Sequence, residues 1–78
     1  MEWLKEGRPD AALAGFDRAL AIDPGYIAAY FQKGSMLLSI GRKDDARVAL
    51  SAGVATANRL GESHAADEMQ ALLDQIDV

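Results

Sequence analysis

Apolar residues return every three or four positions along most of this chain, which is the spacing of a helix face. In the first such stretch the spaced apolar residues are Ala12, Phe16, Ala19 and Leu20. Pro9 suits the opening turn of this helix. Asp23 precedes Pro24 and is therefore pushed out of helical geometry, so the pattern predicts that the helix ends there.

The same periodicity predicts a second helix from Ile27 to Ile40. Gly41 follows it, and a glycine that tolerates positive φ is a common helix terminator. A third helix is predicted to start near Lys43 or Asp44, with Asp44 and Asp45 close to its positive end. Its predicted inner face comprises Ala46, Leu50, Gly53, Val54 and Ala57.

Residues 61–78 form a last amphipathic element. One face carries Ala65, Ala66, Met69, Leu72, Leu73 and Ile76. The opposite face is polar, as the end of a stacked helical array requires. We therefore expect a capping helix and not the start of another full repeat.

The chain matches itself at an offset of 34 residues, which places Gly7 on Gly41. The identical pairs are Leu4/Leu38, Gly7/Gly41, Arg8/Arg42, Asp10/Asp44, Ala12/Ala46 and Ala21/Ala55. Trp3 falls on Leu37 and Phe16 on Leu50. Each unit is therefore predicted to be a helical hairpin.

A 34-residue helix–turn–helix repeat with small residues where helices cross resembles the tetratricopeptide repeat. In the second unit the matching residues are Tyr30, Gly34, Leu37, Gly41, Ala46, Leu50 and Gly53. In the first unit they are Trp3, Gly7, Ala12, Phe16, Ala19 and Pro24. The resemblance implies an all-α fold of antiparallel helical hairpins in a right-handed superhelix, an α-solenoid, ending in a C-terminal capping helix.

The repeat frame predicts one domain over residues 1–78. It contains an N-terminally truncated repeat (1–26), a complete repeat (27–60) and the capping helix (61–78). Three features depart from the family pattern. Met1 already lies in the middle of a helix of the frame, residues 58–61 replace the expected Asp-Pro, and Lys33 occupies a position that is usually apolar.

Composition narrows the function classes. The 78 residues suffice for one small domain, and the aromatic share of 6% favours close helix packing over a sheet core. The net charge is −4, and residues 61–78 hold five acids without Lys or Arg, so we expect no nucleic-acid partner. No apolar run approaches a membrane span and the N-terminus is too polar for a signal peptide, so we expect no membrane partner and a cytoplasmic location.

No catalytic or metal-binding constellation emerges, so we expect neither an enzyme nor a cofactor. The sequence has no Cys, and His64 is its one histidine, placed on a polar face. Adjacent helical residues such as Asp44 and Asp45 do not face each other, which argues against a paired-acid site. The basic residues Arg42, Lys43, Arg47 and Arg59 lack interleaved aromatics and are interpreted as a solvated surface.

The resemblance implies a non-catalytic interaction module, since first helices of such repeats line a concave groove for peptides or partner helices. Carried over by position, the groove residues are Leu4, Lys5, Ala28, Phe31, Ser35, Leu38 and Ser39. The family version that grips a C-terminal carboxylate uses Lys and Asn on this inner surface, and the complete unit has neither at those places, so no such clamp is expected. The alternative hypothesis is a homodimer through the exposed edge of the first repeat, with Trp3, Leu13 and Phe16 at the interface.

Overall fold

The computed structural model describes residues 9–76, and within them it contains four helices and no strand. The helices are α1 (Pro9–Ile22), α2 (Ile27–Ser39), α3 (Lys43–Arg59) and α4 (Ser63–Ile76). Their connections are only three or four residues long, so consecutive helices form hairpins. The predicted all-α helical-repeat fold is confirmed, and the helix bounds lie within a residue or so of those that the apolar spacing predicts.

The turn between α1 and α2 is built by Asp23. Its amide donates to the Ala19 carbonyl over 2.8 Å, which closes the last turn of α1. Its side-chain Oδ1 accepts from the Gly25 amide at 3.1 Å, and its carbonyl accepts from the Tyr26 amide at 3.0 Å. An Asp side chain that binds the backbone two residues on is a favoured turn device, and here it redirects the chain into α2.

The turns after α2 and α3 share a different device. Gly41 and Gly61 have φ values of 81° and 76°. After α2, the Arg42 amide donates to the Leu37 carbonyl at 2.8 Å; after α3, the Glu62 amide donates to the Ala57 carbonyl at 2.8 Å. These are the long bonds of two Schellman motifs. Residues 58–61 lack the Asp-Pro expected from the family pattern, yet they still end α3, because Gly61 provides the turn.

The main core lies where α3 packs between α2 and α4. Leu50 and Met69 are its largest fully buried side chains, joined by Ala57, Ala66 and Leu73. Two buried glycines set the helix spacing. A Cβ at Gly34 would overlap the Leu50 side chain, and a Cβ at Gly53 would overlap Met69 and approach Tyr30 Cβ to 2.8 Å. Small residues are therefore required at these crossings, because a larger side chain would overlap the facing helix.

A second buried cluster attaches α1. It consists of Leu37, Ala46 and Ala49, and Leu13 of α1 packs against it. Lys33 adds an ion pair between helices, because its Nζ lies 2.6 Å from Asp17 Oδ1 on α1. A lysine at a usually apolar position is thereby accommodated by a partner on the neighbouring helix.

Candidate functional site: two grooves along α2

One face of helix α2 packs against the core, and the rest of its surface is partly or fully exposed. Its buried residues Ala29, Gly34 and Leu37 face the core. Most of its remaining residues line two shallow grooves, one on each side of the helix. Small and apolar side chains on a helix face of this kind suit recognition of another chain better than chemistry.

The α1/α2 groove lies between the first two helices and has a volume of about 480 Å³. Phe16 contributes one wall from α1, and the rest comes from α2. The lining residues are Phe16, Phe31, Gln32, Ser35, Met36 and Ser39. The Ser39 hydroxyl donates to the Met36 carbonyl at 2.7 Å, so this hydroxyl proton is already committed to the helix backbone.

The α2/α4 groove lies on the other side of α2 and has a volume of about 300 Å³. Its lining residues are Ile27, Ala28, Phe31, Gln32, Ala65 and Glu68. Met69 and Leu73 of α4 lie in the main core, and this packing brings Ala65 and Glu68 beside α2. The groove exists because the last helix docks on the complete hairpin.

Phe31 and Gln32 line both grooves and join them into one strip across α2. Phe31 is half-buried and also packs against the main core, so its ring is held in place. Among residues 9–76, Glu68 is the one charged residue that lines either groove. The strip is therefore apolar, with a carboxylate at one end.

A third cavity differs in character. This cleft of about 440 Å³ involves α1, α2 and α3, with Leu13, Leu37 and Ala49 among its lining residues. Two ion pairs line it, Lys33–Asp17 and Arg42–Asp45, each with a nitrogen–oxygen distance of 2.6 Å. Since its charges are paired with each other, this cleft offers less to a partner than the strip on α2.

Some of the residues predicted to line the binding groove do line a groove in the structure, and others do not. Ala28, Phe31, Ser35 and Ser39 line the two grooves. Leu38 lines neither groove and instead packs, half-buried, against both core clusters. Leu4 and Lys5 lie outside the described residues.

Leu13 and Phe16, both predicted for self-association, have different surroundings in the structure. Phe16 lines the α1/α2 groove, whereas Leu13 packs against the cluster around Leu37. Leu13 is therefore engaged within the chain. Trp3 lies outside the described residues.

Several groove residues were not predicted. Gln32 and Met36 lie one helical turn from Ala28 and Gln32 respectively, so helical spacing alone would have indicated them. Ala65 and Glu68 carried no such signal, because their place in a groove depends on how α4 docks on α2 and α3.

Three kinds of feature are absent from the part of the chain that the structure describes. Across residues 9–76 no group of His, Asp and Glu is arranged to hold a metal ion. In the same range every buried side-chain nitrogen or oxygen has a hydrogen-bond partner. None of the helices between Pro9 and Ile76 has the length and apolarity needed to cross a bilayer.

Short hairpins, glycine-spaced helix crossings and a groove along one helix define an all-helical repeat protein. The family model described as Tetratricopeptide repeat matches residues 4–76, so the chain belongs to the tetratricopeptide-repeat family. Repeats of this family generally mediate protein–protein interaction. No curated protein and no solved structure matches the chain.

Proposed function

We propose that this chain is a non-catalytic interaction module that receives a peptide or a partner helix in the two grooves along α2. The proposal rests on the position of Phe31, whose half-buried aromatic ring lines both grooves. Half-buried aromatics held by a core supply large contact area at little entropic cost, as binding hot spots require. In this proposal the two grooves serve as the concave binding face that membership of the family implies.

The shape of the site favours a linear ligand. Two shallow grooves of about 480 and 300 Å³ meet at Phe31, so their combined form is a strip rather than an enclosed cavity. Apolar side chains spaced along an extended peptide or one helix face would contact both grooves. The uncharged polar groups of Gln32 and Ser35 would then orient the bound backbone.

The division of the chain supports this proposal. We retain residues 1–26 and 27–60 as two repeat units and residues 61–78 as a cap, stacked as in a right-handed superhelix. The cap supplies Ala65 and Glu68 to the α2/α4 groove, so it contributes to binding as well as to solubility. We also retain a cytoplasmic location as a prediction of the sequence.

The proposal is tested with a displayed library of random 12-residue peptides, selected on the whole chain. Phe31→Ala should abolish binding of the selected peptides. Because Phe31 also contacts the core, a second variant adds bulk without removing a core contact. Ala28→Trp fills the α2/α4 groove, and Ala55→Trp places the same ring on an exposed position of α3 that lines neither groove.

Binding lost in Ala28→Trp and retained in Ala55→Trp supports the groove, provided that circular dichroism shows both variants folded. Equal binding by the two variants would contradict it. So would a selection that yields no peptide dependent on Phe31.

Self-association is the second candidate, favoured by the exposed face of α1. Ile22 is 86% exposed, and a Cβ built on Gly15 would meet no neighbouring helix or side chain of the described residues within 4 Å. At the 34-residue offset their counterparts in α3 are Thr56 and Ala49, both buried. A second copy would cover this face, with Phe16 beside the contact, whereas Leu13 already packs within the chain.

Light scattering behind size exclusion, over a wide concentration range, tests this candidate. A dimer through α1 should dissociate in Ile22→Lys and persist in Ala55→Lys, which places the same charge on an exposed position of α3. A monomer at every concentration would exclude the dimer and leave the grooves as the binding surface.

A further inference from the structure

We propose that the partner carries a Lys or Arg next to its apolar anchor residue, and that Glu68 is the residue that recognises it. This inference rests on the proposed function, because it names the chemistry of the ligand for the same grooves. It follows from the distribution of charge around Phe31.

Three of the basic side chains in the described part of the chain are held in ion pairs away from the strip. Lys33 points to Asp17, and Arg42 to Asp45, both in the separate cleft. Arg47 pairs with Asp44 along α3, at 3.0 Å. Within residues 9–76 neither groove is lined by Lys or Arg.

Negative charge is concentrated beside the strip. Helix α4 carries Asp67, Glu68 and Asp74 with no Lys or Arg. Glu68 lies in the lining of the α2/α4 groove with Ala28 and Phe31. A cationic side chain that follows an apolar anchor into this groove would therefore meet a carboxylate, whereas an acidic one would meet repulsion.

The Glu68 carboxylate is available for such a contact. Its side chain is 53% exposed, and among residues 9–76 its one close contact with a basic group is with His64 Nε2, at 3.2 Å one turn earlier on α4. His64 is itself 90% exposed and is charged only when protonated, so it provides no permanent countercharge. An incoming guanidinium or ammonium group can approach Glu68 from the solvent side without displacing a buried partner.

The contact should contribute more to specificity than to affinity. Exposed ion pairs are worth under about 1 kcal/mol, which is roughly a fivefold effect on Kd, and reversal of one charge adds repulsion. We therefore expect Glu68→Lys to weaken basic peptides by roughly 3- to 10-fold at physiological salt. Raising the salt concentration should shrink this difference.

The test uses the peptides selected from the random 12-residue library on the unmodified chain. The expected result is enrichment of Lys and Arg near an apolar residue. Kd values are then measured for Glu68→Lys and for Asp67→Lys, a matched charge reversal on the same turn at a residue that lines neither groove. Weakening in Glu68→Lys that clearly exceeds weakening in Asp67→Lys supports the inference.

A second comparison reverses the charge on the peptide. When the enriched cation is replaced by Glu, binding to the unmodified chain should fall and binding to Glu68→Lys should recover. Equal effects of Glu68→Lys and Asp67→Lys would show only long-range attraction and would overturn the assignment to Glu68.

The two proposals fail in distinguishable ways. Peptides that require Phe31 and Ala28 but show no enrichment of Lys or Arg would overturn the inference and leave the proposed function standing. A selection without Phe31-dependent peptides, as expected if residues 1–8 or a second copy fill the grooves, would overturn both.

Discussion

Helices α1 and α3 occupy equivalent places in a 34-residue repeat, yet they lie in different surroundings. Leu50 of α3 is fully buried, while its counterpart Phe16 is half-buried at the edge of a groove. Thr56 is 6% exposed, while its counterpart Ile22 is 86% exposed. Equivalent sequence positions therefore differ in burial according to the helices that flank them.

The difference has a simple packing origin. Helix α3 has α2 on one side and α4 on the other, and both contribute to the cluster around Leu50 and Met69. Among the described elements α1 packs chiefly against α2. A repeat unit buries its apolar face only where both neighbours are present. Within residues 9–76, α3 has a helix packed on each side, whereas α1 borders the α1/α2 groove and carries the exposed Ile22.

The largest expected difference is between truncations at the paired positions 16 and 50. Leu50→Ala should lower the free energy of unfolding by about 3–4 kcal/mol, because it leaves a cavity among fully buried residues. Phe16→Ala should cost only about 1–2 kcal/mol although it removes a larger side chain, because that ring is partly exposed and lines a groove. Chemical denaturation of both variants measures the pair. Equal losses would show that α1 is as well packed as α3.

Two glycines should respond with opposite signs. Gly53→Ala places a Cβ against Met69 and Tyr30 and should destabilise the chain by about 1–3 kcal/mol. Gly15→Ala meets no atom within 4 Å and should stabilise it by about 0.5–1 kcal/mol, through the better helix propensity of alanine. Thermal unfolding followed by circular dichroism reports both. Stabilisation by Gly53→Ala would contradict the close crossing of the helices.

The smallest expected effect is at the ion pair that links α1 to α2. In a double-mutant cycle of Lys33→Met and Asp17→Asn, the coupling free energy should be below about 1 kcal/mol, because both side chains are partly exposed. High salt should reduce it further. A coupling above about 2 kcal/mol would mean that this pair, and not the packing of Leu13, is what holds α1 in place.

Most of the fold could be predicted because its signals are local. Apolar spacing indicated all four helices, Asp23-Pro24 marked the end of α1, and Gly41 marked the turn after α2. Gly61 lies in the segment 58–61 that departs from the Asp-Pro of the family pattern. Its φ of 76° and the bond from the Glu62 amide show that it repeats the turn at Gly41.

The candidate site was less predictable because it depends on tertiary packing. Position in the repeat sufficed to indicate Ala28, Phe31 and Ser35, which line grooves in the structure. Position in the repeat also predicted Leu38 as a groove residue, but its side chain packs against the two core clusters. Its neighbour Ser39 does line a groove, so repeat position alone does not decide which of the two faces the ligand. Glu68 is in the site only because α4 docks beside α2.

Amide hydrogen exchange, resolved by residue, is the measurement that tests the unequal surroundings of α1 and α3 most directly. Amides around Leu50 and Gly53 should exchange only through global unfolding, whereas those around Ala12 and Phe16 should exchange through a local opening of lower free energy. Equal protection of both helices at every protein concentration would contradict the account. Protection of α1 that rises with concentration would instead show that a second copy covers it.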